Sequence, residues 1–224
     1  MIWAPPQGPF GPIVVPATLP PDPHAISKRL VILLAKAKPD ARGLFFLEAP
    51  PVSLKLTGRT LDRAIVLLDT LLFELERRGH GIQDGKIVVA GEPFTFRMRE
   101  PEDIVPHVIT EAEALAERTR VWSNKYLRKG RWQEPGPAYP IWDCIPSGRL
   151  ILDVQTVYFH QPGTTKGTEF WYTQGRFRIE DKLSFIINHM LTAAAKASSA
   201  RAAAEEAERQ RADAERRKRQ QAYI

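Results

Sequence analysis

The chain has 224 residues, of which 43% are hydrophobic and 26% are charged, as is ordinary for a globular protein with a sizeable core. Its net charge of +6 is mildly basic and favours acidic partners such as DNA or RNA. The single cysteine, Cys144, excludes an internal disulfide, so we predict a cytoplasmic protein. No apolar run approaches the roughly 20 residues of a membrane span, and we expect neither a secretory signal nor a membrane partner.

The first part of the sequence predicts an extended arm followed by a helix. Residues 1–23 contain eight prolines, which remove amide donors and disfavour helix and central strand. A docked linker is the default interpretation of this arm, and a ligand for a proline-binding groove is the alternative. A helix of about 14 residues should follow and end before Pro39. Leu44 to Leu47 then has the character of an edge strand, because Pro50 and Pro51 come next.

The stretch from Val52 to Glu100 carries the clearest periodicity in the chain. Residues 52–57 alternate between apolar and polar, as in a half-buried strand. Helical spacing follows at 60–78, with Thr60 as the predicted N-cap and Gly79 as the left-handed stop. A hairpin about Gly91 should then place Phe94, Phe96 and Met98 on one face and Arg97 and Arg99 on the other.

The remaining elements complete an α+β prediction. Thr110 and Glu113 form a capping-box pair before a short helix from Glu111 to about Arg118, whereas 101–109 is interpreted as a connection. Helical spacing from Ile179 continues almost to the end of the chain. We predict a mostly antiparallel sheet with helices 60–78 and 179–195 packed on one face. The predicted strands span 52–57, 86–90, 94–99, 149–158 and 169–173. The predicted domains are a proline-rich arm (1–23), an α+β domain (24–198) and a charged, alanine-rich helical extension (199–224).

A basic and aromatic stretch at 118–132 is the strongest functional signal. Lysines and arginines neutralise phosphates, and aromatic faces stack on unpaired bases. The same composition also suits a loop whose arginines are solvated and whose tryptophans fill the core. The candidate nucleic-acid-binding residues are Arg118, Arg120, Trp122, Lys125, Tyr126, Arg128, Lys129, Arg131 and Trp132.

Two further basic surfaces are predicted. Lys55, Arg97 and Arg99 should point away from the apolar side of their strands, where solvation is the usual outcome for single charges. The run 196–224 has eight basic and five acidic residues. A solvated, charged helix is the default interpretation. The alternatives are a helix that follows a nucleic-acid backbone and one that pairs with a partner helix or a second copy as a coiled coil. Its alanine-rich composition lacks the large apolar face of a membrane-surface helix.

Catalytic patterns are sparse, so we predict no catalytic residue, no cofactor and no metal site. The five histidines are scattered, with no pair at metal-ligand spacing. Cys144 is interpreted as a small buried thiol and not as a nucleophile. Glu100, Asp153 and Gln155 form the minor alternative of a metal-dependent nuclease, which needs clustered carboxylates.

Several phrases occur together in a recognisable order: LDRAIVLLDTLLFELERRGH, GEPFTFRMRE, WDCIPSGRLILDV and FRIEDKLSFIINHML. In this order they resemble the C-terminal region of a group of uncharacterised bacterial proteins that carry an N-terminal helix-turn-helix-like segment. The resemblance covers roughly residues 24–215. It implies a DNA-associated context but carries no known activity and no catalytic residue. No such segment precedes the proline-rich arm, so we expect a shortened copy or the C-terminal part alone.

These observations give one leading hypothesis and two alternatives. The leading one is a non-catalytic module that binds DNA or RNA or supports a DNA-bound regulator. The first alternative is a protein-interaction or oligomerisation module that acts through the long C-terminal helix. The lesser alternative is the nuclease-like hydrolase.

Overall fold

The computed structural model describes residues 13–83, 85–127, 136–156, 169–173 and 178–222, without the side chains of 123–127, 169–173, 220 and 222. The chain forms two compact units. The sheet unit comprises Met1–Glu100 and Gly148–Ile224, and the inserted unit comprises Pro101–Ser147. The domain limits predicted from the sequence, after residues 23 and 198, stay a prediction.

The sheet unit contains three α-helices, one short 3₁₀-helix and seven strands in its described part. The helices are α1 (Ala25–Leu34), α2 (Gly58–Arg77) and α4 (Leu183–Ala222), with the 3₁₀ turn Glu180–Lys182 before α4. The strands are β1 (Leu44–Ala49), β2 (Val52–Thr57), β3 (Gly81–Gln83), β4 (Lys86–Val89), β5 (Glu92–Arg99), β8 (Ile151–Thr156) and β9 (Glu169–Thr173).

The central strand of the sheet is β5. Its residues pair antiparallel with β8 along one edge. Along the other edge, β4 pairs antiparallel with the first half of β5, and β2 pairs parallel with the second half. Strand β1 continues the sheet beyond β2, and β9 continues it beyond β8. The predicted α+β class is confirmed. The sheet is mixed and not mostly antiparallel, because α2 follows β2 and returns the chain so that β5 runs parallel to β2.

The core lies between one face of this sheet and the helices α2 and α4. The predicted inward residues Phe94, Phe96 and Met98 are all buried, whereas Arg97 on the same strand is exposed. The predicted apolar stripe at the start of the C-terminal helix is also buried, from Ile179 to Met190. Burial of apolar surface on this scale is the main driving force for the fold. The predicted packing of two helices on one face of the sheet is therefore what the structure has.

The start of α2 differs from the prediction. The helix begins at Gly58 with Thr57 as its N-cap, and the Thr57 side chain makes no capping hydrogen bond. Thr60, the predicted N-cap, lies inside the helix and donates its hydroxyl to Glu100. The predicted stop at Gly79 is confirmed, because that residue has a φ of 81°.

Glu100 supplies the missing cap from the end of β5. Its Oε2 accepts hydrogen bonds from the Thr57 amide (3.0 Å), the Thr57 hydroxyl (2.7 Å) and the Thr60 hydroxyl (2.7 Å). Its Oε1 accepts from the Gly148 amide at 2.6 Å. Burial alone raises the pKa of Glu100, but the hydrogen bonds from Thr57, Thr60 and Gly148 outweigh it and hold that pKa below its ordinary value. The carboxylate is therefore charged and joins β5, α2 and the residue that follows the inserted unit.

The long helix α4 has two different parts. Its first part packs in the core, and Ala197 is its last buried residue. Arg201 forms an ion pair with the buried Glu92 at the start of β5. From Ala202 onward every described side chain is exposed. At 1.5 Å per residue, Ala202 to Ala222 is about 30 Å long. The predicted long C-terminal helix is thus confirmed.

The inserted unit consists of a two-stranded ribbon and one helix. Strand β6 (Glu102–Pro106) pairs antiparallel with β7 (Trp142–Pro146), and α3 spans Glu111–Leu127. The prediction of a plain connection before Thr110 was therefore wrong, and α3 is longer than the predicted short helix. Among the described helices of the chain, none has both the length and the apolar character of a bilayer span.

We predict that Glu100→Ala lowers the free energy of unfolding by about 3 kcal/mol, because it leaves buried donors without an acceptor. Glu100→Gln should also destabilise, since the amide nitrogen cannot accept. Urea unfolding of each variant provides the measurement. Glu205→Ala, on the exposed part of α4, is the control and should change stability by less than about 0.5 kcal/mol. Equal midpoints for the Glu100 and Glu205 variants would contradict the capping role.

Candidate nucleic-acid interface

Helix α3 begins with the capping box that the sequence predicted. The Thr110 amide and hydroxyl donate to Glu113 Oε2 at 2.9 and 2.7 Å, and the Glu113 amide donates back to Thr110 Oγ1 at 3.3 Å. These bonds hold the pKa of Glu113 at about 2. The local pattern Thr-x-x-Glu was sufficient to find this feature.

His107 holds the ribbon and the helix together. Its Nδ1 lies 2.9 and 3.0 Å from the two carboxylate oxygens of Asp143 on β7, and its Nε2 lies 3.0 Å from Glu113 Oε2 on α3. The Tyr139 ring stacks on the imidazole at a centroid distance of 5.9 Å. Asp143 first, and then Glu113, raise the pKa of His107. With a carboxylate at each nitrogen, the protonated ring can donate a hydrogen bond on both sides, which favours the charged form.

A second carboxylate of α3, that of Glu117, is also fully engaged in hydrogen bonds. Glu117 accepts two hydrogen bonds from Arg120, at 2.6 and 2.8 Å, and one from the Ala138 amide at 3.1 Å. The Arg120 guanidinium first, and the Ala138 amide second, hold the pKa of Glu117 at about 2. Arg120, one of the predicted nucleic-acid contacts, is therefore engaged with an acid of its own helix.

Another face of α3 presents a cation and an aromatic ring to solvent. Arg118 and Trp122 are four residues apart, so they are neighbours on the helix surface. Arg118 is exposed and forms no ion pair with any described residue, and the Trp122 side chain is 64% exposed. Trp122 was open to interpretation as a core residue, and the structure places it on the surface.

The structure describes only the first part of the predicted interface. Arg118, Arg120 and Trp122 lie within little more than one turn of α3, and the engaged Arg120 contacts Glu117. Lys125 and Tyr126 belong to the last turns of α3, but their side chains are outside the described part. The remaining candidates lie outside the described residues altogether, namely Arg128, Lys129, Arg131 and Trp132.

The inserted unit exposes an unusual amount of apolar surface. None of its described residues is buried. Of the fourteen exposed large apolar side chains in the described part of the chain, nine belong to this unit. They are Ile104, Val108, Ile109, Leu115, Val121, Trp122, Ile141, Trp142 and Ile145. Polar contacts such as those of His107 and Glu117 thus define its described geometry, and exposed apolar side chains in this number are typical of an interaction surface.

The other predicted basic surfaces lie on the sheet unit. Lys55, Arg97 and Arg99 all point to the outer face of the sheet, opposite α2 and α4, as predicted. Arg99 donates to Asp153 Oδ2 at 2.8 Å, and the Lys55 ammonium lies 5.6 Å from the centre of the Phe46 ring. The Arg97 guanidinium remains exposed and forms no ion pair or hydrogen bond with any described residue.

The end of α4 carries four consecutive basic residues, 216–219. Successive side chains are 100° apart around a helix, so these charges surround it instead of forming one stripe. Glu215 pairs loosely with Arg219 at 3.8 Å, an i,i+4 contact that supports an exposed helix. No large apolar residue occurs between Ala202 and Ala222, so this segment offers no seam for a coiled coil.

The residues considered for catalysis do not converge. Glu100 points inward with Met98, whereas Asp153 is paired in register with Arg97 on the outer face, so the two carboxylates lie on opposite faces of the sheet. Within the described part of the chain, no three histidine, cysteine or acidic residues are placed to hold a metal ion. Cys144 is exposed on β7, so its interpretation as a buried thiol was wrong. The geometry gives the nuclease alternative no support.

Comparison with known proteins adds no functional information. No family model, no curated protein and no solved structure matches this chain.

We predict that the His107 cluster is most stable between pH 4.5 and 6.5. A raised histidine pKa contributes stability fully below the ordinary value of 6.5 and loses it as the pH rises through the raised value. Glu113, with a pKa of about 2, contributes above its ordinary 4.5 and loses its contribution as the pH falls towards 2.

An NMR titration of the histidine ring protons measures this directly. His107 should titrate above 6.5, whereas His80, whose pKa burial and then Arg78 lower, should titrate below that value. Asp143→Asn should bring the His107 midpoint down. A His107 midpoint at or below that of His80 would contradict the cluster geometry.

Proposed function

We propose that this protein is a non-catalytic nucleic-acid-binding module, an accessory to a DNA-associated process. The observation that carries the proposal is that the acids and the exposed cation of α3 are not paired with each other. Two of its acids, Glu113 and Glu117, are committed to His107, Thr110, Arg120 and the Ala138 amide. Neither acid therefore neutralises Arg118, which lies beside Trp122 on the exposed side of α3. In the sequence, this pair is followed by the basic residues up to 132.

This arrangement suits a polyanion with accessible bases. An exposed guanidinium neutralises a phosphate, and an exposed indole beside it stacks on a base at a gain of about 1–3 kcal/mol. The basic end of α4 adds a second contact. Because its four charges surround the helix, they suit a partner that presents phosphates on more than one side, such as the walls of a groove.

Binding should depend steeply on salt. Fluorescence anisotropy with a labelled single strand and a labelled duplex, from about 50 mM to about 200 mM salt, provides the measurement. Arg118→Gln should lower the slope of log affinity against log salt by about 1. The triple change of Arg128, Lys129 and Arg131 to alanine should lower it by about 2 to 3. Trp122→Ala should weaken single-strand binding by about tenfold with little effect on the slope.

The control is Arg29→Gln on α1, which removes the same charge from an exposed position in the sheet unit. It should leave affinity and slope nearly unchanged. If the Arg118 variant and the triple variant both behave like this control, the contact surface is wrong. If the unaltered chain binds neither probe at low salt, the proposed function itself is wrong.

A second candidate is a protein-interaction or oligomerisation module. The exposed apolar side chains of the inserted unit favour it, since patches of this kind mark protein interfaces. Ile104, Trp142 and Cys144 share one face of the β6–β7 ribbon, and all three are exposed. The alternative site is the C-terminal helix. Between Ala197 and Ala222, alanine is the only apolar residue that this helix could bury in an interface.

Sedimentation separates these possibilities. Self-association through the ribbon predicts that Trp142→Ser lowers the mass of the full chain to that of a monomer, while removal of the residues after Ser199 has no effect. Association through the helix predicts the reverse. A monomeric mass for the unaltered chain at high concentration would eliminate self-association.

A further inference from the structure

A row of four polar side chains crosses the outer face of the sheet. Glu48 on β1, Ser53 on β2, Arg97 on β5 and Asp153 on β8 are successive partners in the strand register. Neighbouring strands are about 4.8 Å apart, so the backbones of Glu48 and Arg97 are about 10 Å apart with only the small Ser53 between them. The face therefore has an acid and a base on opposite sides of a low floor.

A groove of about 330 Å³ occupies this position. It is lined by Glu48, Ser53, Thr95, Arg97 and Gln155, together with the Pro50–Pro51 turn. Its volume lies at the lower end of the range of small-ligand sites. Serine and threonine leave the floor low, and their hydroxyls offer hydrogen bonds to a polar ligand.

The charges of the groove are available for binding. Asp153 is the in-register neighbour of Arg97, but its Oδ2 accepts from Arg99 instead, at 2.8 Å. Arg97 and Glu48 are both exposed, and neither forms an ion pair with any described residue. An exposed guanidinium and an exposed carboxylate thus face the same small cavity from opposite walls.

We infer that this groove is a subsite for one nucleotide of a single-stranded nucleic acid, an inference that rests on the proposed function. The phosphate binds the Arg97 guanidinium, and the base extends across the floor towards Glu48. The carboxylate accepts a hydrogen bond from an exocyclic amino group, as acidic side chains do from cytosine. The Ser53 hydroxyl lies between these two ends, where the sugar passes, and Thr95 lies beside Arg97 on β5.

The adjacent row of side chains on the outer face, two residues along each strand, also has groups that could contact a nucleic acid. Phe46 lies two residues before Glu48 on β1, and its ring is 54% exposed beside Lys55. An exposed ring next to a cation is a stacking position for an adjacent base. A duplex cannot lay a base across this floor or on the Phe46 ring, because its bases are stacked on one another inside the helix. The groove therefore predicts a preference for single strands and for bases that carry an amino group.

Anisotropy with labelled oligo(dC) and oligo(dT) of equal length tests this preference at neutral pH. Because thymine lacks an exocyclic amino group, the unaltered chain should bind oligo(dC) more tightly, by about tenfold. Glu48→Gln should reduce this ratio towards one, since a neutral amide accepts more weakly and binds either base. Arg97→Gln should weaken both probes and lower the salt slope by about 1.

The outcomes distinguish the groove from the proposed function. If neither probe binds the unaltered chain, both fail together. If both probes bind and Arg118→Gln weakens them, while Glu48→Gln and Arg97→Gln behave like Arg29→Gln, the groove alone is wrong. Equal affinity for oligo(dC) and oligo(dT) in the unaltered chain also overturns the role of Glu48. Thermal unfolding of the variants should match that of the unaltered chain, because Glu48 and Arg97 are exposed.

Discussion

The buried carboxylate of Glu100 is the interaction on which the sheet unit depends. One side chain satisfies amide and hydroxyl donors at the start of α2 and the amide of Gly148. The strand that it follows, β5, is the central strand and pairs with β2, β4 and β8. Glu100 and Gly148 also border the inserted unit in the sequence, so their hydrogen bond joins the two ends of the sheet unit where the insertion leaves and returns.

In the described part of the chain, α2 and α4 pack on one face of this sheet, and the other face carries polar side chains such as Lys55, Arg97 and Asp153. The alternation of β5 separates the two environments within one strand, because Phe96 and Met98 are buried while Arg97 between them is exposed. Among the described residues, the accessible cations that we propose to contact nucleic acid lie on three surfaces. Arg97 is on the outer face of the sheet, Arg118 is on the exposed side of α3, and residues 216–219 are at the end of α4.

Much of the fold was predictable because its periodicity is local. The spacing of β2, the turn at Gly91 and the apolar stripe of α4 each follow from neighbours in the sequence, and each is found as predicted. The parallel pairing of β2 with β5 was not predictable in this way, since it depends on where α2 returns the chain. The N-cap was misplaced for a similar reason, because the group that satisfies Thr60 lies 40 residues away.

The candidate site shows the same division between local and distant information. The pairing of Glu117 with Arg120 is an i,i+3 contact, so the sequence already contained the signal that Arg120 is engaged. The contact of His107 with Asp143 joins residues 36 positions apart, and no local pattern indicates it. The ribbon was missed because four of its ten residues, counted over β6 and β7, are not typical of strands. Each segment has one proline and one aspartate, which leaves little periodicity.

The most direct test of the central claim is the salt dependence of single-strand binding by the unaltered chain. A module that engages phosphates through Arg118, the basic residues that follow it and Arg97 predicts a linear fall of log affinity with log salt, with a slope of about −3 or steeper. A slope near zero, or no binding at about 50 mM salt, would contradict it.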